Sequence, residues 1–186
     1  RTFRKDTSWV CASNSSKTPM NKEYLYSPWR SDYIRSPKPK DCILCRWQDT
    51  EADAENLIFY RGKFCYAMLN RYPYNNGHIM LVPYRHCASL SGLTPEELAE
   101  LGHLAQQAEI ALKSVYACEG VNLGMNLGRA AGAGIDEHLH LHMVPRWSGD
   151  CNFMTVIGGQ RVIPEAFETS FSSLRDAFAN LLDGKE

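Results

Sequence analysis

The sequence predicts an α+β fold in which an antiparallel sheet carries helices on one side. Three observations favour this fold. Short strand-like runs recur between turn signals, one long segment has the spacing of an amphipathic helix, and one strand-like run alternates histidine with apolar residues. The chain has 186 residues, of which 44% are hydrophobic and 22% are charged, which is typical of one globular domain.

The first 19 residues differ from the rest of the chain. They contain four basic residues against one acid and show no hydrophobic period, and Met20 then reads as a natural start. We therefore interpret residues 1–19 as a remnant of cloning or a disordered extension, with an acid-poor targeting peptide as the alternative. Residues 20–186 are predicted to form a single domain.

Composition and charge restrict the partners. The net charge of -1 gives no electrostatic case for nucleic acid or for a membrane surface, and no apolar run is long enough to span a membrane. The seven cysteines are odd in number and unevenly spaced, which favours reduced thiols and a cytoplasmic protein.

The predicted elements follow one another with short connections. Residues 57–60 and 64–69 are typical of a hairpin, and residues 78–82 form a third strand after a turn-rich loop. Thr94, Pro95 and Glu97 are the N-cap, first residue and capping-box acid of a helix. A fourth strand is predicted at 121–127, and a final amphipathic helix at 170–182. The inward stripe of the first helix is predicted to be Leu98, Leu101, Ala105, Ala108, Leu112 and Val115.

The run from 137 to 146 carries the chemistry. Period-two alternation places His138, His140 and His142 on one face of a strand, while the residues between them face a core. The outer two histidines are about 13 Å apart on a straight strand, so at most two of the three can share one metal ion. The run is either fortuitous, a metal clip, or a site whose middle imidazole is a nucleophile with a proton-handling neighbour.

Residues 138–144, preceded by the glycine-rich 126–134, resemble the signature of the histidine triad family of nucleotidyl hydrolases and transferases. Residues 144–154 are similar to the branch that contains bacterial diadenosine tetraphosphate phosphorylases. This resemblance spans about residues 26 to 169 and implies a HIT-like fold and a homodimer. It also implies a nucleotidyl intermediate on His140, a phosphate contact and leaving-group role for His142, and orientation of His140 by the carbonyl of His138.

The resemblance also assigns substrate-binding residues. Asn70 would contact the ribose, and His78 would lie beside the triad, with a hydrogen-bonded core histidine as the alternative reading. The glutamine that most members carry in the glycine-rich loop is absent, so Asn126 and the amides of Gly132 and Gly134 would bind phosphate oxygens. Asn152, with the loop amides, would form a second anion pocket.

A metal site is predicted around Cys42 and Cys45. A lone Cys-x-x-Cys is half of a metal site or a redox pair. The resemblance supplies His86 and His138 as the other ligands, giving a structural zinc held by two cysteines and two histidines.

The function that the resemblance implies is cleavage of diadenosine tetraphosphate, or a related nucleotide polyphosphate, at the α-phosphorus, with inorganic phosphate as the acceptor. Two alternatives stay open. Water as the acceptor gives a hydrolase, and absence of turnover gives a zinc-stabilised nucleotide-binding protein.

Overall fold

Five strands form one antiparallel sheet in the order β1-β2-β3-β5-β4. The computed structural model describes residues 41–49, 51–150 and 165–182. The strands are β1 (Ile58–Arg61), β2 (Cys65–Leu69), β3 (Ile79–Pro83), β4 (Gly120–Gly124) and β5 (Leu141–Arg146). The α-helices are α1 (Ile43–Gln48), α2 (Asp53–Asn56), α3 (Pro95–Tyr116) and α4 (Phe167–Leu182).

The two faces of the sheet have different environments. Leu139, Leu141 and Met143 are buried in the larger core cluster, together with residues of α3 and α4. The opposite face carries a smaller apolar cluster around Tyr66, Met68 and Met80. Because alternate residues of a strand face opposite sides, the triad histidines lie away from the main core, as the sequence predicts. The predicted α+β class is confirmed.

Helix α3 begins as predicted, but its buried stripe is shifted. The side chain of Thr94 accepts from the main-chain N–H of Glu97, and the Glu97 carboxylate accepts from the N–H of Thr94, which completes the capping box. Burial of Glu97 at the cap turns Leu98 outward, where it is 40% exposed, so the prediction that Leu98 packs inward is wrong. The buried residues of α3 are Glu97, Leu101, Leu104, Ala108, Ala111 and Leu112.

Several boundaries also differ from the predicted ones. Strand β4 is shorter than the predicted 121–127, and β5 begins only at Leu141, because the N–H of Leu139 donates to Cys87 O at 2.7 Å rather than to a neighbouring strand. Helix α4 starts at Phe167, before the predicted 170. No helix in the described ranges is long and apolar enough to cross a membrane. Residues 1–19 and Asn152 lie outside the described residues.

The turn before β3 requires glycine at position 77. Gly77 has φ of +68°, and a Cβ built there would lie 2.5 Å from the ring of Tyr116. The turn is therefore pressed against the end of α3. This contact fixes the chain just ahead of His78.

Candidate active site and metal centre

The imidazole of His140 is held by the main chain of its own strand. Nδ1 of His140 donates to the main-chain oxygen of His138 at 2.8 Å, since a carbonyl can only accept. The ring is 6% exposed. Burial lowers the pKa of His140, and the bond to the His138 carbonyl opposes this only in part. Neutral His140 therefore carries its proton on Nδ1 and an unprotonated Nε2, which suits a nucleophile.

His142 is held by a second histidine, His78. Nε2 of His78 lies 3.0 Å from Nδ1 of His142. The main-chain N–H of Tyr74 donates to Nδ1 of His78 at 3.0 Å, so that nitrogen is an acceptor. Burial, with the nearby histidines, lowers the pKa of His78 to about 3, and burial lowers that of His142 to about 4.

These contacts fix the protons of the pair. Neutral His78 accepts at Nδ1, so its hydrogen is on Nε2 and is donated to Nδ1 of His142. Neutral His142 then carries its own hydrogen on Nε2. The rings of His140 and His142 are 4.8 Å apart and nearly perpendicular, at 81°. His140 therefore presents an unprotonated Nε2, and the adjacent His142 presents an N–H donor at its own Nε2.

Asn70 lies against the same histidine. Its Nδ2 is 3.4 Å from both ring nitrogens of His78, which places the amide over the face of the ring, and its Oδ1 accepts from the N–H of Tyr72. His78 itself is fully buried. It is thus a hydrogen-bonded core histidine and also a neighbour of the triad, so the two readings of its role are compatible.

The glycine-rich loop joins β4 to the triad. Asn126 is half-buried, and Gly132 and Gly134 are exposed. The N–H of Gly132 donates to the main-chain oxygen of Arg129 at 2.9 Å within a 3₁₀ turn. The side chain of Arg129 pairs with Asp136 at 2.6 Å. The main-chain N–H groups of this loop thus belong to a turn that is stabilised by hydrogen bonds within the loop.

Four side chains form a cluster suited to a metal ion. The ligand atoms of Cys42, Cys45, His86 and His138 all lie within 4.8 Å of one another. Cys42 is the N-cap residue of α1 and Cys45 follows one turn later, so both thiols lie on the same side of the helix. Sγ of Cys42 is 3.3 Å from Nδ1 of His138, and Sγ of Cys45 is 3.3 Å from Nδ1 of His86. These four donors suit tetrahedral zinc.

The hydrogen bonding of His138 supports that fit. Nε2 of His138 donates to the main-chain oxygen of Pro83 at 2.9 Å, which leaves Nδ1 unprotonated toward the thiols. Burial, and then the neighbouring Cys42, raise the pKa of Cys45 to about 11. A cation in the cluster would favour the thiolates. His138 thus serves the cluster with its side chain and His140 with its carbonyl.

The sequence did not single out the main chain of Tyr74 or the side chain of Asn75. Both belong to the turn Pro73-Tyr74-Asn75-Asn76-Gly77, which precedes His78. A turn is a common place for backbone donors, but the sequence does not show which N–H meets which imidazole. The one usable signal is that this turn directly precedes a histidine on the strand next to the triad.

Comparisons with known proteins identify the family and several relatives of this chain. A family model described as "HIT domain" matches residues 51–149. The chain is 53% identical to "AP-4-A phosphorylase" of Mycobacterium tuberculosis, over 76% of each chain. It resembles the structure of a Zn-bound histidine triad family protein from Mycobacterium smegmatis, with a TM-score of 0.62 and 28% identity, over 78% of this chain and 98% of that one. A hypothetical histidine triad nucleotide-binding protein from Sulfolobus tokodaii gives a TM-score of 0.63 and 28% identity, over 75% of this chain and 93% of that one.

Proposed function

This chain belongs to the HIT domain family, and we propose that it is a diadenosine tetraphosphate phosphorylase that works through a nucleotidyl intermediate on His140. The observation that carries the mechanism is the bond from Nδ1 of His140 to the His138 carbonyl, which leaves Nε2 of His140 unprotonated. The relative at 53% identity, named as AP-4-A phosphorylase, supports the substrate and the acceptor.

The first half of the reaction transfers the nucleotide to the enzyme. Nε2 of His140 attacks the α-phosphorus of diadenosine tetraphosphate, so an N–P bond forms while the bond to the bridging oxygen breaks and ATP leaves. The N–H at Nε2 of His142 donates to that oxygen and stabilises its developing negative charge.

In the second half, inorganic phosphate attacks the adenylyl group. An O–P bond forms, the N–P bond to His140 breaks, and ADP is released with the imidazole restored. We assign the second anion pocket to Asn152 and the loop amides. Asn126, Gly132 and Gly134 would bind phosphoryl oxygens, and the Gly132 N–H would have to exchange the Arg129 carbonyl for a phosphate oxygen. Asn70 would hold the ribose.

We further propose that Cys42, Cys45, His86 and His138 hold a structural zinc ion. The tautomer of His138 and the spacing of the ligand atoms support this assignment. The related protein from M. smegmatis is Zn-bound. When bound, zinc would supply fixed coordination that ties α1 and the loop after β3 to the triad segment.

We also propose a cytoplasmic homodimer. The five described cysteines form no disulfide, which suits a reducing compartment. Strand β4 is at the edge of the sheet, with Leu123 56% exposed, and Ile110 on α3 is 45% exposed. An edge strand with an exposed apolar residue favours pairing with a second copy.

The test of the phosphorylase is to incubate the protein with diadenosine tetraphosphate, with and without inorganic phosphate, and to identify the products. We expect ATP and ADP in the presence of phosphate. Formation of AMP at the same rate with and without phosphate would contradict the phosphorylase assignment and indicate a hydrolase. Rapid quench with labelled substrate should trap an acid-labile adenylyl adduct, and its absence together with no turnover would leave a nucleotide-binding protein.

A further inference from the structure

The side chain of Asn75 ties the turn before His78 to strand β5. Its Nδ2 donates to the main-chain oxygen of Pro145 at 3.1 Å and to Oδ2 of Asp150 at 3.3 Å. Its Oδ1 accepts from the N–H of Asn76 at 3.1 Å. The main-chain oxygen of Asn75 accepts from the N–H of His78 at 3.2 Å. The side-chain nitrogen, the side-chain oxygen and the main-chain oxygen of Asn75 thus all form hydrogen bonds.

Asp150 is itself held firmly. Its side chain is only 9% exposed. Nε of Arg146 donates to Oδ2 at 2.5 Å and Nη2 donates to Oδ1 at 2.8 Å, which is the two-point geometry of a strong guanidinium–carboxylate pair. Nη1 of Arg146 donates to Asn122 of β4 at 2.8 Å. Arg146 follows His142 by four residues on β5, so it lies on the same face of that strand.

These bonds close a circuit through the triad. The circuit runs from His142 along β5 to Pro145, across to Asn75, back one residue to Tyr74, and through the N–H of Tyr74 to His78, which contacts His142. We propose that Asn75 and Asp150 are positioning residues that keep the Tyr74 N–H on His78 and so hold the catalytic hydrogen of His142 on Nε2. This inference rests on the proposed function, in which that hydrogen stabilises the leaving oxygen.

The reason is that the Tyr74 N–H decides the tautomer of both imidazoles. If it moves away from Nδ1 of His78, the hydrogen of neutral His78 can reside on Nδ1, and Nε2 then becomes an acceptor. His142 must in that case place its own hydrogen on Nδ1 to keep the bond between the rings. Its Nε2 would present a lone pair to the leaving oxygen, which repels it. Loss of the Asn75 hydrogen bonds to Pro145 and Asp150 would thus remove the Nε2 donor of His142, although Asn75 itself does not contact the substrate.

The experiment uses the zinc-loaded full chain and two variants, Asn75→Ala and Asp150→Asn. Long-range ¹H–¹⁵N correlation spectra of ¹⁵N-histidine protein report which ring nitrogen of His78 and His142 is protonated. We expect Nε2 of His142 to be protonated in the parent, and the Nδ1 tautomer to increase in both variants, more in Asn75→Ala. Asn56→Ala is the control, because Asn56 is also half-buried and donates to a main-chain oxygen, that of Trp47, away from the histidines.

A kinetic arm uses the 4-nitrophenyl and phenyl esters of AMP. The phenyl leaving oxygen is more basic and depends more on a donor, so Asn75→Ala should slow its release about ten- to a hundredfold and that of the nitrophenyl ester much less. The control should change both rates by less than about twofold. If Asn75 had a purely structural role, its replacement would lower the cleavage rates of both esters by the same factor.

The outcomes separate this inference from the proposed function. An unchanged His142 tautomer in Asn75→Ala and Asp150→Asn, with active parent enzyme, overturns the inference alone. A tautomer shift in the variants, with a parent that does not cleave diadenosine tetraphosphate in the presence of inorganic phosphate, supports the positioning role and overturns the proposed function. If Asn75→Ala does not fold, Asp150→Asn decides, because it keeps the shape of the side chain and the Asn75 bond to Pro145.

Discussion

Nε2 of His78 and Nδ1 of His142 are 3.0 Å apart, and one hydrogen lies between them. His78 is fully buried, and each neutral ring already carries one hydrogen, so a third ring proton on this pair would place an uncompensated cation in the protein. Burial accordingly lowers the pKa of His78 from 6.5 to about 3, with a further contribution from the neighbouring histidines. The pair is neutral wherever the protein is folded near neutral pH.

This neutrality predicts acid sensitivity. Below pH 6.5 the unfolded chain protonates His78 while the folded chain does not, so the free energy of unfolding falls as the pH decreases from about 6.5 toward about 3. The contribution of one such group is at most about 1.4 kcal/mol per pH unit. Denaturant unfolding at several pH values measures this slope. His78→Gln should show a shallower slope, and an equal slope in both proteins would contradict the prediction.

Replacing the proposed nucleophile should lower turnover sharply. In His140→Ala we expect turnover of diadenosine tetraphosphate to fall at least about 10³-fold, because the covalent route is lost. Circular dichroism should show an intact fold. His103→Ala is the control, since His103 is an exposed residue of α3. Near-normal activity in His140→Ala would refute the assignment.

Metal analysis should find about one zinc per chain, because one cluster of four ligands is present in the described residues. Cys42→Ser should release the metal and lower the melting temperature, since structural metal binding is coupled to folding. Cys87→Ser should retain the metal, because Cys87 is not one of the four ligands. Protein prepared without chelator that contains no zinc would return Cys42 and Cys45 to the redox interpretation.

The edge strand makes the dimer testable. Leu123→Arg places a charge on the exposed side chain of β4 and should raise the dimer dissociation constant at least about tenfold. Analytical ultracentrifugation over a concentration series measures this constant. Leu98→Arg is the matched control, because Leu98 is 40% exposed near the start of α3, away from β4. A monomeric parent protein would exclude the dimer itself.

The sequence predicts the elements that have a strong local signal. The alternation of residues 138–143 and the Thr94-Pro95-x-Glu97 cap are both found, because strand pleating and helix capping depend on residues close in sequence. The exposure of Leu98 was missed because burial of Glu97, which also pairs with Arg85, turns the helix face. Helices α1 and α2 were missed because they have only six and four residues.

The candidate site is less predictable for a geometric reason. The motif and the family resemblance supply the residue types, but the tautomers of His78 and His142 depend on a main-chain donor, the N–H of Tyr74, which lies 68 residues earlier in the chain than His142. Every residue except proline carries the same main-chain N–H and C=O groups. No pattern of side chains can therefore indicate which N–H meets an imidazole, and only the folded arrangement does.

The side chain and the main-chain carbonyl of His138 have different roles, which protein engineering can separate. Its imidazole belongs to the proposed zinc cluster, whereas His140 uses only its peptide carbonyl, a group that every amino acid provides. The side chain at position 138 can thus be exchanged for another metal ligand without altering the chemical identity of the group that orients the nucleophile. A cysteine there would convert the ligand set to three thiolates and one imidazole, a combination that zinc also accepts. With these proposed roles, metal selectivity would become variable at a position inside the histidine triad.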